Sequence, residues 1–135
     1  MLQKLFIRNY AIIESVEIEF SGKLNIITGE TGAGKSILVG ALGLILGERA
    51  DSSVLFNADQ KCIVEGSFSI HGRNDIQQTL QKSDLDAEEE LVIRREVAST
   101  GKSRAFINDT PVTLSQLKQF ASLLVDLHQQ FDTLE

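Results

Sequence analysis

Residues 29–36 read GETGAGKS, which places glycines at both ends of a six-residue window, followed by a lysine and a hydroxyl. The spacing fits G-x-x-x-x-G-K-[ST], with Gly29 and Gly34 as the outer glycines and Glu30, Thr31, Gly32 and Ala33 between them. Glycine has no Cβ, so the backbone adopts φ > 0 and approaches a ligand closely, and successive N–H groups turn inward as an anion nest. Lys35 supplies a compact positive charge for the β- and γ-phosphates. The Ser36 hydroxyl supplies an oxygen ligand for Mg²⁺, an ion that takes oxygen donors in near-octahedral geometry. Together Gly29, Glu30, Thr31, Gly32, Ala33, Gly34, Lys35, Ser36 and Ile37 form the candidate nucleotide-binding segment. The chemistry expected is recognition of an oligophosphate with its metal.

Such a loop works only where a strand feeds it and a helix leaves it, because the helix N-terminus adds unpaired N–H groups and partial positive charge beneath the phosphates. Residues 23–28, KLNIIT, suit a short buried strand, and residues 35–46, KSILVGALGLIL, are apolar on nearly every face and suit a core helix opening at about Gly34. This context favours a phosphate loop over a chance glycine-rich turn.

Around that core, LQKLFIRNY alternates loosely, and IESVEIEF places Val16, Ile18 and Phe20 on one face with Glu17 and Glu19 on the other, so two antiparallel strands precede the loop. After the helix, GERADSSVLFNADQ reads as a loop. Residues 61–70, KCIVEGSFSI, then alternate with Cys62, Val64, Phe68 and Ile70 inward. That placement makes Cys62 a small core residue with no assigned chemistry. Residues 73–82 read as a short helix and DLDAEEE, residues 84–90, as an acidic loop. LVIRREVAS and KSRAFIND form a hairpin joined at Thr100 and Gly101, and Pro111 marks a turn. Thr113 and Gln116 have the spacing of a capping box opening the helix TLSQLKQFASLL, and LVDLH reads as a last buried strand.

A length of 135 residues fits one domain or one lobe, and 42% hydrophobic with 24% charged residues is the composition of a soluble globular chain. No secretory signal is visible, the apolar run from Ile37 to Leu46 is too short to span a bilayer, and one cysteine cannot form an internal disulfide. Cytoplasmic location with no membrane partner is the expectation. The formal net charge of -6 argues against a uniformly basic nucleic-acid surface. Local positive charge gathers instead at Arg94, Arg95, Lys102 and Arg104 on the hairpin, where alternation sends Arg94 and Arg95 to opposite faces. One reading has these residues reaching nucleotide or DNA phosphates. The other is a solvated hairpin balanced by Glu96 and the acidic loop, with no interleaved aromatic residue for base stacking.

The ordered blocks GETGAGKSI, ALGLILGERA, IRREVASTGKSRAFIND, PVTLSQL and DLHQQFD, spread over essentially the whole chain, resemble the start of the RecN family of bacterial DNA repair proteins, in the SMC-like branch of the ABC ATPases. The resemblance implies an α/β fold of the P-loop NTPase type. Residues 1–135 would be the N-terminal lobe of an ABC/SMC-like ATPase head, with an antiparallel β-subdomain beside the P-loop strand and helix. It implies ATP and Mg²⁺ as cofactors, Walker A function for Gly29 to Ser36, and a catalytic role for Lys35. The family's Q-loop glutamine, which contacts Mg²⁺ and the γ-phosphate region, falls on Gln130. The local sequence is His128, Gln129, Gln130 where the family commonly shows His-Gly-Gln, so Gln129 stays beside it as an alternative. His128 itself is expected to be structural or exposed.

No Walker B carboxylate pair, signature loop or switch histidine is recognisable in the sequence. In SMC-like proteins these belong to a C-terminal lobe beyond a coiled coil, and two heads sandwich ATP. The resemblance therefore implies ATP hydrolysis by a homodimer of heads acting on DNA phosphates in double-strand-break repair, in a cytoplasm where the protein joins the nucleoid during repair. This lobe alone would bind nucleotide weakly and hydrolyse it poorly or not at all. A nucleotide-gated module that tethers DNA is the alternative, and a small P-loop kinase is a more distant one.

Overall fold

The computed structural model describes residues 2–20, 32–50, 52–85 and 89–124, with residues 32–35 described by their backbone. Six strands, β1 (Leu2–Tyr10), β2 (Ile13–Glu19), β3 (Cys62–Ser69), β4 (Glu90–Val97), β5 (Ser103–Ile107) and β6 (Thr110–Val112), form one sheet in the order β2-β1-β3-β4-β5-β6. Every neighbouring pair is antiparallel. Among the described residues the α-helices are α1 (Gly32–Ile45), α2 (Asn74–Lys82) and α3 (Leu114–Leu123).

Period-two patterning sorts the sheet into a core face and an outer face. On β3 and β4 the cross-strand pairs Cys62–Val97, Gly66–Ile93 and Phe68–Leu91 all point inward and are buried. They join Leu5 and Ile7 of β1 and Ala105 and Ile107 of β5 in one cluster with Leu38, Ala41, Leu42 and Ile45 of α1, Ile76 and Leu80 of α2, and Leu117 and Phe120 of α3. The expected inward set Cys62, Val64, Phe68 and Ile70 is buried throughout. The expected pair of strands ahead of the loop is present as β1 and β2, with Val16 and Ile18 half-buried and Glu17 and Glu19 exposed.

Three local features depart from the sequence expectation. The β4–β5 hairpin closes through a three-residue loop, with Ala98 N–H donating to Lys102 O at 2.8 Å and Gly101 N–H to Ala98 O at 2.9 Å. Gly101, at φ +89°, takes the left-handed position that such a loop requires. Pro111 does not sit at a turn. It lies in edge strand β6 opposite Phe106, and the turn before it is Asn108–Asp109, both with positive φ. An edge strand tolerates proline because its outward N–H needs no partner. Within the stretch read as loop, Ser52–Val54 form a 3₁₀ turn, and Leu55 bridges Tyr10. Asn9 pins this segment from β1: its side-chain amide donates to Asn57 O at 3.0 Å and Gln60 O at 2.9 Å and accepts from Asn57 N–H at 2.6 Å.

The capping box at α3 is complete, with Gln116 N–H donating to Thr113 Oγ1 at 3.1 Å and Thr113 N–H donating to Gln116 Oε1 at 2.9 Å. Arg73, just before α2, forms an ion pair with Asp75 and donates to Leu123 O in the last turn of α3 at 2.6 Å, tying the two helices together. The strands expected over 23–28 and 124–128 fall outside the described residues, apart from Leu124, which closes α3.

Candidate functional site

The candidate site is organised by α1. The helix begins at Gly32, inside the glycine-rich motif and two residues earlier than the expected start near Gly34. Its first turn contains no acidic residue, so no carboxylate on that turn competes with an incoming anion for the N-terminal N–H groups. Gly32, Ala33, Gly34 and Lys35 supply the backbone of this turn. Ser36 is exposed, and Ile37 is half-buried where the helix enters the core. Gly29, Glu30 and Thr31 lie outside the described residues, as do His128, Gln129 and Gln130.

Burial fixes the direction of the helix. Leu38, Ala41, Leu42, Leu44 and Ile45 are buried, and α1 packs against β3 and β4. At the far end Glu48 N–H donates to Gly43 O at 2.9 Å and Gly47 N–H to Leu44 O at 3.2 Å, with Gly47 at φ +99°. This is a Schellman cap, which satisfies carbonyls that would otherwise be left without partners. The N-terminal backbone is thereby presented by a helix whose later turns are held in the core and whose C-terminus is closed. An exposed serine hydroxyl beside the first-turn backbone of a helix is a donor set that fits a phosphate with Mg²⁺. No cluster of three or more histidine, cysteine or acidic residues suited to a metal occurs among the described residues.

The four basic hairpin residues separate by face as alternation requires. Arg94 lies on the outer face, its guanidinium 4.4 Å over the Phe106 ring, with Nε 3.2 Å from Glu96 and Nη1 3.1 Å from Asp109. An aromatic ring therefore does sit beneath a basic group, across the strand pair, where linear inspection of the sequence did not find it. Glu96 also takes Lys61 at 3.2 Å, so its predicted balancing role is realised. Lys102 and Arg104 are exposed.

Arg95 behaves differently from the other three, being fully buried at 0% exposure. Nη1 donates to Leu44 O at 2.9 Å and Glu48 O at 2.8 Å, both at the C-terminal end of α1, and Nη2 donates to Ser103 Oγ. Burial pulls its pKa down, and the nearby Cys62 acts the other way. Cys62, also fully buried, has its thiol pushed up to about 11, chiefly by burial. It stays protonated at neutral pH, consistent with a core role and no nucleophilic one. Alternation sent Arg94 and Arg95 to opposite faces, but it did not say that Arg95 takes the core face, nor which helix end receives it.

Residues 4–135 match the family described as AAA domain. The chain is 42% identical over 130 residues to the DNA repair protein RecN of Vibrio cholerae, covering 96% of this chain and 24% of that protein. Against RecN of Bacillus subtilis the identity is 35% over 133 residues, with 98% and 23% covered. The chain thus spans about a quarter of the length of the curated relatives it matches. A solved SMC ATPase structure, described in terms of ATP-driven dimerization and DNA-stimulated activation, superposes with a TM-score of 0.69 at 25% identity, covering 90% of this chain and 79% of that one. The chain belongs to the AAA domain family, with the ATPase-head fold of SMC proteins and RecN as its sequence relative.

Proposed function

We propose that residues 1–135 form the N-terminal lobe of an ABC-type ATPase head, and that Gly29 to Ile37 bind ATP with Mg²⁺. The observation that carries this reading is the opening of α1 at Gly32 within GETGAGKS, on a helix whose Leu38 and Ala41 to Ile45 are buried and whose first turn has no acidic residue. In this assignment the first-turn N–H groups hold phosphate oxygens, Lys35 neutralises the β- and γ-phosphates, and the Ser36 hydroxyl ligates the metal. Held by the Ser36 hydroxyl, Mg²⁺ would supply positive charge to offset the charge developing on the phosphates. Gln130, or Gln129 beside it, orients the γ-phosphate region from the far end of the chain.

The reaction proposed for the intact protein is hydrolysis of ATP to ADP and phosphate, in DNA double-strand-break repair and recombination. RecN relatives are DNA repair proteins, and the SMC neighbour is described by ATP-driven dimerization and DNA-stimulated activation. A homodimer of heads, phosphate-backbone contact with DNA and a cytoplasmic, nucleoid-associated location follow from the same reading. Phosphoryl transfer draws on positioning and charge stabilisation from several groups, and the sequence here holds no recognisable Walker B pair or signature loop. The expected result is that the 135-residue chain turns over ATP at least about 10²-fold more slowly than the intact protein, the scale of losing transition-state donors. Equal turnover by the two, measured as phosphate release with and without DNA, would overturn the assignment.

A further inference from the structure

We propose that Arg95 is a positioning residue for the nucleotide: from β4 it holds the C-terminal end of α1 and so sets where the N-terminal end of that helix meets the phosphates. The inference rests on the nucleotide reading of Gly29 to Ser36 and adds a residue outside that segment.

Arg95 occupies the middle of a cross-strand row on the core face, between Val64 of β3 and Ala105 of β5. A charged side chain is an expensive occupant there, since burying a cation without a counter-ion costs more than an apolar side chain of similar volume. Among the described residues no carboxylate pairs with it. Its Nε is buried without a hydrogen-bond partner. A buried polar atom left unpaired in a native core calls for an explanation beyond packing. Compensation comes from the helix, because carbonyls at a helix C-terminus carry partial negative charge and attract a cation.

The cap itself does not depend on Arg95. Leu44 O already accepts the Gly47 N–H, and Gly43 O accepts the Glu48 N–H. What the guanidinium adds is a tie across 51 and 47 residues of sequence, from Arg95 to Leu44 and to Glu48, that joins the sheet to the helix. With 14 residues, α1 is about 21 Å long. At that range in salt the charge of Arg95 acts only weakly on a phosphate through space. Its influence must pass through the axial and rotational placement of a rigid helix, where a shift on the order of 1 Å at a binding end is costly.

The test compares Arg95→Met, Arg95→Lys and Ser103→Ala in the intact protein, measuring thermal stability, Mg·ATP affinity by titration, and KM and kcat separately. The expected result for Arg95→Met is a folded protein whose Kd and KM for Mg·ATP rise about tenfold, within the usual range of coupling between sites. Arg95→Lys, which retains one cationic donor, should recover part of that loss, and Ser103→Ala should weaken affinity by about twofold to threefold by freeing one arm of the fork. A purely structural role would lower the melting temperature while leaving Mg·ATP affinity at the wild-type value in all three variants, and that result overturns the proposal. Should Arg95→Met fail to fold, Arg95→Lys and Ser103→Ala decide on the same criterion. If Lys35→Ala loses Mg·ATP and the Arg95 and Ser103 variants do not, this inference fails and the nucleotide reading survives. If the wild type does not bind Mg·ATP, the nucleotide reading fails and takes this one with it.

Discussion

Ser36 is the one proposed ligand whose side-chain environment the structure describes, and it is exposed on the first turns of α1 while the next turns are buried. If its hydroxyl ligates Mg²⁺, the gain in ATP affinity on adding Mg²⁺ should shrink about tenfold in Ser36→Ala, with metal-free affinity little changed. Titrations with and without EDTA read this directly; an unchanged Mg²⁺ gain would remove Ser36 from the metal site. Cys62 makes a separate prediction. Its thiol is raised to about 11 from an ordinary 9.0, so between those values the unfolded chain releases a proton that the folded chain keeps. Stability should therefore be fully present below pH 9 and fall as pH rises toward 11. Cys62→Ala should lose less stability over that window, as followed by denaturant midpoints. A slope identical to wild type would mean that Cys62 does not control it.

At the scale of elements, glycine and capping residues fix where helices stop and start. Gly47 holds φ +99° at the end of α1, and an added Cβ would lie 2.8 Å from the Lys118 side chain. Gly47→Ala should cost about 1–2 kcal/mol, from left-handed strain. Thr113→Ala, which removes the acceptor for Gln116 N–H, should cost about 1 kcal/mol. Chemical denaturation checks both, and losses below about 0.3 kcal/mol would contradict the cap assignments. The element types were largely legible in the sequence because alternation and helical periodicity survive in linear form: β3 reads off Cys62, Val64, Phe68 and Ile70, and α3 off its capping box. The Asn108–Asp109 turn was less legible because its signal is two residues that tolerate positive φ, next to a proline that is the louder mark. Of the candidate site, the motif can be read in the sequence because its spacing is local, and the structure describes its second half, from Gly32, as the opening of α1. The Arg95 tie to Leu44 and Glu48 was not, because partners about fifty residues apart meet only through the tertiary packing of α1 on β4.

For the molecule as a whole, the outer sheet face is a mixed array. Cross-strand neighbours include Lys4 with Glu19, Glu65 with Arg94, and Glu96 with Arg104. Positive charge is matched closely there, which agrees with the net charge of -6 and makes broad, salt-driven DNA affinity a poor expectation for this lobe by itself. If the proposed DNA contact belongs to the assembled protein, that protein's DNA affinity should fall with salt along a slope that the 135-residue chain lacks. The core, by contrast, runs without a break from the sheet to α1, so a ligand at Gly29 to Ser36 acts on a helix already fixed in place. Fold and site are consistent with a head lobe that supplies the phosphate grip.

The central claim is that GETGAGKS grips the phosphates of ATP, and titration of Mg·ATP into the intact wild-type protein and Lys35→Ala tests it most directly. The account predicts saturable binding by the wild type. For Lys35→Ala it predicts a loss of affinity of about tenfold or more, from removal of a charge-assisted contact, with an unaltered melting temperature. Equal affinity in the two proteins, with the variant folded, would contradict it.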